Sequence, residues 1–287
     1  MKGILIADAG GSKSDWVLVT STGDITRFAT TGINPALMSE DVVRSKLLKV
    51  KDNFSLFPDI HEIRFFGAGC AYPEINTRLA HLIKDIWPSA SIFIESDLMG
   101  ASIALFGESD GIAAILGTGS NSCLYQKGKI LDNIPPLGYI LGDEGGGVAL
   151  GKKLLSAIFK KELPREMADK FHQEYNLTLP ELIRNVYGIP NPAPFIASFA
   201  PFLSRNINNP AIYRLVRDEI YNFFLKNICK YTSYNQYSVG FIGSVAFSFK
   251  DIILEIGKEI NLGIEKFLAS PIEGLITFYM TKTEIKK

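Results

Sequence analysis

The chain opens on an unbroken apolar run, Ile4-Leu5-Ile6-Ala7, of the kind that forms a buried strand. The run stops at Asp8-Ala9-Gly10-Gly11-Ser12-Lys13-Ser14. Apolar stretches resume over 15–20 and, beyond Ser21-Thr22-Gly23-Asp24, over 25–29. These predict an antiparallel meander whose first turn is rich in Gly and Ser. The spacing then becomes helical: Val42, Val43, Leu47 and Leu48 predict a helix over 39–50, with Ser39 as its N-cap. A strand over 63–68, a helix over 74–87, a strand over 91–95 and a helix over 97–106 complete the order βββαβαβα. That order makes a mixed sheet with helices packed on it.

The opening pattern then returns. Residues 111–116 are an apolar strand, Gly117-Thr118-Gly119-Ser120-Asn121-Ser122 a Gly/Ser turn, and 123–126 and 130–131 further strands. Gly11-Ser12-Lys13-Ser14 and Gly119-Ser120-Asn121-Ser122 share the form G-S-x-S, 108 positions apart, each behind an apolar strand. The match in element order points to two related halves. A Gly-rich loop spans 138–147. Helices are predicted over 148–160, 165–175, 179–187, 194–206 and 211–231, then a strand over 239–242. Ser244 is placed to cap a helix running to about residue 260, and a last helix covers 271–286. At 287 residues the chain holds roughly two domains of about 150 residues each. They are expected over 1–109 and 110–287, the second with a helical insertion at about 150–235.

Composition narrows the function. With 30 Lys+Arg against 30 Asp+Glu there is no net charge and no basic cluster, so neither nucleic acid nor an acidic membrane is the expected partner. The three cysteines, Cys70, Cys123 and Cys229, lie far apart and form no CxxC, which argues against a disulfide framework or a thiolate zinc site. No apolar run can span a bilayer or serve as a signal-peptide core, so a soluble cytoplasmic protein is expected. Gly128-Lys129, Gly151-Lys152 and Gly257-Lys258 are not followed by Ser or Thr, which removes a P-loop. Gly117-Thr118-Gly119 lacks the third glycine of a dinucleotide fingerprint, because Ser122 stands there.

Two Gly/Ser turns at matching positions remain. Such turns leave backbone N–H groups pointing one way, and glycine lets them approach an anion closely. Either turn alone reads first as a plain hairpin. The pair, with Asp8 at the end of the first strand, favours a polyphosphate clamp. Asp8 suits a water-mediated magnesium contact, or an Asx-turn. Asp97 opens a helix, where N-capping and catalysis are equally open on local grounds. Asp143 and Glu144 lie among glycines, and Asn34 precedes Pro35 in a turn; both sites suit polar ligands, and both have ordinary structural uses.

These motifs resemble the N-acetylglucosamine kinase branch of the actin/sugar kinase/Hsp70 superfamily, with the dehydratase-activating ATPases among its relatives. They are D8-A-G-G-S-K-S14, G32-I-N-P35, E95-S-D-L-M-G-A-S-I-A104, G117-T-G-S-N121, G138-Y-I-L-G-D-E-G145 and G240-F-I-G-S-V-A246, in family order along nearly the whole chain. The resemblance implies an α/β protein of two ribonuclease H-like domains, the actin-like ATPase fold, with an interdomain nucleotide cleft. It implies ATP and Mg2+ as cofactors and an amino sugar as substrate, N-acetylglucosamine converted to its 6-phosphate. Gly10, Gly11, Ser12 and Lys13 would form the first phosphate turn, and Gly117, Thr118 and Gly119 the second. Gly243 and Ser244 would lie at the adenosine. Asp97 would be the general base, Asp8 the metal contact, and Asn34, Asn121, Gly138 and Asp143 the sugar site. A homodimer is a candidate assembly. Tyr139-Ile140 stands where relatives often carry Trp-Gly.

Two other classes compete. A dehydratase-activator ATPase of the same fold needs paired thiolates for its cluster, and no second cysteine lies near the 138–147 loop. A ligand-sensing regulator usually carries a helix-turn-helix segment, and the first strand begins too early to leave room for one.

Overall fold

The computed structural model describes residues 2–11, 13–57 and 59–284. The chain divides into two compact units. The first comprises Met1–Ser109, Lys127–Lys129 and Ser270–Lys287, and the second Asp110–Gln126 and Ile130–Ala269.

In the first unit, strands β1 (Gly3–Ala9), β2 (Lys13–Thr20) and β3 (Ile25–Thr31) form the meander. Helix α1 (Glu40–Asn53), strand β4 (Ile60–Gly67), helix α2 (Pro73–Ile86), strand β5 (Ser91–Ser96) and helix α3 (Asp97–Phe106) follow. The sheet order is β3-β2-β1-β4-β5, with β1, β4 and β5 parallel and the meander antiparallel. Leu5, Ala7, Ala9, Trp16 and Leu18 pack on one face against Leu47, Leu79 and Ile83 of α1 and α2. Ser39 holds the N-cap position of α1 but makes no side-chain cap bond.

The second unit repeats the plan. Strands β6 (Gly111–Leu116), β7 (Ser120–Gln126) and β8 (Lys129–Asp132) form its meander. A short helix α4 (Gly138–Leu141) precedes α5 (Gly147–Phe159), α6 (Arg165–Tyr175) and α7 (Leu179–Tyr187). Then come α8 (Ala193–Ala197), α9 (Ala200–Arg205) and α10 (Pro210–Lys226). Strand β9 (Val239–Ile242), helices α11 (Ser244–Ser248) and α12 (Lys250–Glu259), and strand β10 (Ile264–Leu268) close the unit. The order is β10-β9-β6-β7-β8. Phe171, Phe202, Phe223, Phe224 and Phe241 dominate its core, so the helices over 165–226 supply much of the apolar mass that this sheet buries.

The structure corrects several expectations. The helix predicted over 194–206 is two, parted at Ser198-Phe199, and the one predicted over 211–231 stops at Lys226 before a 3-10 turn, Ile228–Lys230. The helix predicted from 244 to 260 breaks at Phe249, and Ser244 is its first residue rather than its cap: Gly243 stands at the N-cap, with no side-chain bond. Strand β10 was not expected. The last helix, α13 (Ile272–Glu284), was assigned to the second domain by sequence order but packs in the first unit on α3, β1 and β2. Among the described residues no helix is long and apolar enough to cross a membrane.

Candidate active site

In the first unit the parallel strands end along one edge, with Ala9 in register with Gly67 and Gly67 with Ser96. Open α/β sheets bind ligands at that edge. Asp8 lies one residue before the end of β1 and Asp97 one residue after the end of β5. Strand alternation commits Leu5, Ala7 and Ala9 to the α1/α2 core and turns Asp8 to the other face. There Ser270, just before α13, hydrogen-bonds its carboxylate. Burial, then the negative charges of Asp97 and Asp15, push the Asp8 carboxyl up to about 7, while the Ser270 bond and the Lys13 charge oppose the shift.

This shift fixes a pH dependence. The folded protein holds the Asp8 proton above the ordinary value of 3.8, up to about 7. Folded protein therefore binds more protons than unfolded chain between those values, and stability falls as pH rises through that window. Asp8→Asn keeps a neutral side chain throughout. Denaturant titrations without nucleotide or metal should show the variant gaining on wild type as pH rises from about 4 to 7, then a constant difference above 7. Parallel curves across the window would remove this account of Asp8.

Asp97 is half-buried, and burial raises its carboxyl above the usual range against the N–H of Leu98, which donates to Oδ1 at 2.9 Å. It is not the helix cap. Ser96 is, its Oγ accepting from the Met99 N–H at 3.1 Å. The alternative structural use of Asp97 therefore falls to its neighbour.

The first Gly turn is closed by Gly10 N donating to Lys13 O at 2.9 Å. Gly11 is exposed, and Lys13 is exposed and paired with Asp15 at 2.7 Å. Ser12 lies outside the described residues. Gly32 packs flat on this turn, and any Cβ there would collide with the carbonyl oxygens of Gly10 and Gly11. The same segment carries Asn34, whose Oδ1 accepts from Ala36 N at 3.0 Å in an Asx-turn and lies against Gly69.

Magnesium can be tested against these residues. Asp8 is a single carboxylate, crowded by two like charges and short of compensating cations, which fits a hard divalent ion. Among the described residues no cluster of three or more His, Cys, Asp or Glu makes a metal cage. The arrangement suits an ion held mainly by phosphate and water.

In the second unit the Gly117-Thr118-Gly119 turn follows β6. Its carbonyls anchor helix α5: Gly147 N donates to Gly117 O at 2.8 Å and Val148 N to Thr118 O at 2.9 Å. Gly243, after β9, has φ +117° and packs on the carbonyl of Leu116 so closely that a side chain could not fit. Beside it, Thr118, Ala200, Arg205, Ser244, Ser248 and Phe249 line a cavity of about 320 Å³. Apolar walls with a few polar groups at such a volume suit a flat heterocycle. Arg205 is held there by Glu174 and by Tyr175 Oη at 3.3 Å.

Asp143 lies beside this turn. It has φ +57°, its Oδ1 accepts from Ser120 N at 3.2 Å, and burial raises its carboxyl first, with Glu144 adding to the shift. Asn121 lies on β7, its Oδ1 accepting from Ser122 N at 2.9 Å and Asn133 Nδ2 at 3.0 Å. Gly138 is exposed at the start of α4, next to the exposed side chains of Leu137, Ile140 and Leu141.

The structure thus gathers Asp8, Asp97 and the first turn in one unit, and Gly117, Thr118, Gly119, Asp143, Gly243 and Ser244 in the other. Ser270, Ser96, Arg205 and Glu219 join these residues in the structure without being singled out by the sequence. Ser270 would have been visible had β10 been recognised, since it stands just past that strand's end. Glu219 shares the apolar face of α10 with Val216, Ile220 and Phe223, and a charge on a buried stripe is itself a signal.

No family model and no curated protein matches the chain. Among solved structures, a protein of Porphyromonas gingivalis assigned as an N-acetylglucosamine kinase is 37% identical, with a TM-score of 0.93, over 97% of this chain and 99% of that one. A protein of Chromobacterium violaceum with the same assignment is 16% identical, with a TM-score of 0.70 over 97% and 99%. A ROK family glucokinase of Streptomyces griseus, in complex with glucose and AMPPNP, is 13% identical, with a TM-score of 0.54 over 96% and 97%. The two five-stranded mixed sheets are those of the two-domain actin-like ATPase fold.

Proposed function

Because the chain belongs to the N-acetylglucosamine kinase-like family, we propose that it transfers the γ-phosphoryl group of ATP to an amino sugar, N-acetylglucosamine, at the 6-hydroxyl. The observation that carries this reading is Asp97: a half-buried carboxylate of raised proton affinity, at the edge where parallel strands end, with the capping duty taken by Ser96.

On this reading Asp97 accepts the hydroxyl proton as the sugar oxygen attacks the γ-phosphorus. The bond from that phosphorus to the β,γ-bridging oxygen breaks, ADP leaves, and the proton stays on the carboxyl until product departs. Gly117, Thr118 and Gly119 line the phosphates, and Gly11 and Lys13 add donors to them, while Gly10 shapes the first turn through its bond to Lys13 O. The cavity beside Ser244 takes the adenine ring. Asp143 accepts sugar hydroxyls, and Asn34 offers its amide NH2. Asp8 would hold Mg2+ through water; the ion supplies neutralisation of charge on the phosphates.

The test is ADP release measured with ATP and magnesium against N-acetylglucosamine, glucosamine, N-acetylmannosamine, N-acetylmuramic acid and glucose. N-acetylglucosamine should give the highest kcat/KM. If no sugar stimulates ADP release, the kinase reading fails.

A further inference from the structure

Helix α10 lies in the segment, 165–231, to which no motif assigns a role. One stripe along it follows the acidic loop that carries Asp143. Glu219 is 5% exposed, and its Oε1 accepts from Gly145 N at 3.3 Å. Phe223, fully buried, packs on Gly145, where a Cβ would stand 3.0 Å from the Phe223 Cβ. Lys226 Nζ donates to Glu144 Oε1 at 3.0 Å. Positions 219, 223 and 226 have the i, i+4, i+7 spacing of one helix face. Three successive side chains on that face thus hold the two residues that follow Asp143.

A buried carboxylate is costly unless it is used, and a lone bond to one N–H is a small return for the fold. The bond matters more for what it positions. Asp143 has φ +57°, a conformation disfavoured for an Asp, so the loop around it needs external restraint. Asp143 is anchored through Oδ1, which accepts from Ser120 N at 3.2 Å, through its own N–H, which donates to Pro136 O at 3.0 Å, and through its carbonyl, which accepts from Gly146 N at 3.0 Å; these bonds leave the Gly145 N–H and the Glu144 side chain to be held from α10. Gly145, with φ +71°, is the next hinge point of the loop, and Glu219 with Phe223 fastens it from behind.

We propose that Glu219, seconded by Lys226, is a positioning residue for sugar recognition: it holds the 143–145 loop so that Asp143 is presented to the sugar hydroxyls. The inference rests on the kinase reading above. It gives helix α10 a role in substrate affinity, not in chemistry or nucleotide binding.

The experiment uses the full chain and N-acetylglucosamine, with ATP and magnesium. Glu219→Met removes the acceptor and leaves Gly145 N unpaired. A loop displaced by a fraction of an ångström should raise the sugar KM at least about tenfold, with kcat and the ATP KM within about threefold of wild type. Glu219→Gln keeps an acceptor oxygen of the same reach and should return the sugar KM to within about threefold of wild type. Lys226→Met, at an exposed pair, should raise the sugar KM about threefold without lowering the melting temperature.

A lowered melting temperature with an unchanged sugar KM in Glu219→Met would reduce Glu219 to a structural role and overturn the inference. Loss of sugar affinity in Glu219→Gln equal to that in Glu219→Met would overturn it differently, by showing that the sugar needs the charge itself. If Glu219→Met does not fold, Lys226→Met and Glu219→Gln decide: an unchanged sugar KM in the first, or a lost one in the second, sinks the proposal. Absence of sugar-dependent ADP release in wild type is the separate failure of the kinase reading.

Discussion

Asp97→Asn is expected to lower sugar phosphorylation by about 10²–10⁴-fold while leaving the melting temperature and the ATP affinity nearly unchanged. An amide cannot take the proton of the attacking hydroxyl at neutral pH. It can keep the bond from the Leu98 N–H, since its carbonyl oxygen still accepts there. The helix keeps its cap, because Ser96 provides it. The substitution also removes a half-buried charge whose ionisation the site resists, so it does not cost stability on that account. Turnover, melting temperature and ATP affinity on this one variant are sufficient. A folded Asp97→Asn protein with near-normal turnover would show that the carboxylate is not the base.

The second large effect is expected at Gly119. As part of the second phosphate turn, this residue is a place where backbone is expected to approach phosphate, which makes loss of ATP binding the expected result of a larger side chain. The structure adds a second consequence. A Cβ at Gly119 would stand 2.8 Å from Asp143 Oδ2 and 3.0 Å from its Oδ1. A carboxylate is the movable end of a side chain, so Gly119→Ala folds and Asp143 gives way, losing its bond from Ser120 N. Sugar KM should rise about 10²-fold, because the group meant for the sugar hydroxyls is displaced by an ångström or so. ATP affinity should weaken less with Ala than with Val, which brings two further methyl groups into the turn. Titrating each substrate against Gly119→Ala separates the effects. An unchanged sugar KM would mean that Asp143 does not bind the sugar.

The order of elements was legible because the central strands are continuous apolar runs closed by Gly/Ser turns. Strand β10 was not, because Glu265 and Lys266 are exposed on an edge strand that carries no such run. The break at Phe249 has no Gly or Pro to announce it, and Phe249 is itself buried in the core, so packing rather than local propensity ends α11. Placing α13 required three dimensions, since nothing in its own residues says that it returns to the first sheet.

In the site, the acids at strand ends, Asp8 and Asp97, and Asp143 among glycines stand out by their neighbours in the chain. The choice between capping and catalysis at Asp97 could not be made from sequence, because Ser96 and Asp97 are both good caps and only the bond to Met99 N tells them apart. Glu219 acts on a residue 74 positions away, a relation that helical spacing on α10 hints at but cannot assign.

The central claim is phosphoryl transfer to the sugar rather than to water. It is tested most directly by 31P NMR of the complete reaction, with ATP, magnesium and N-acetylglucosamine. A new phosphomonoester resonance coupled to the C6 protons, growing in step with ADP, is the expected result. ADP formed with inorganic phosphate alone, in the presence of saturating sugar, would contradict it and leave an ATPase in place of a kinase.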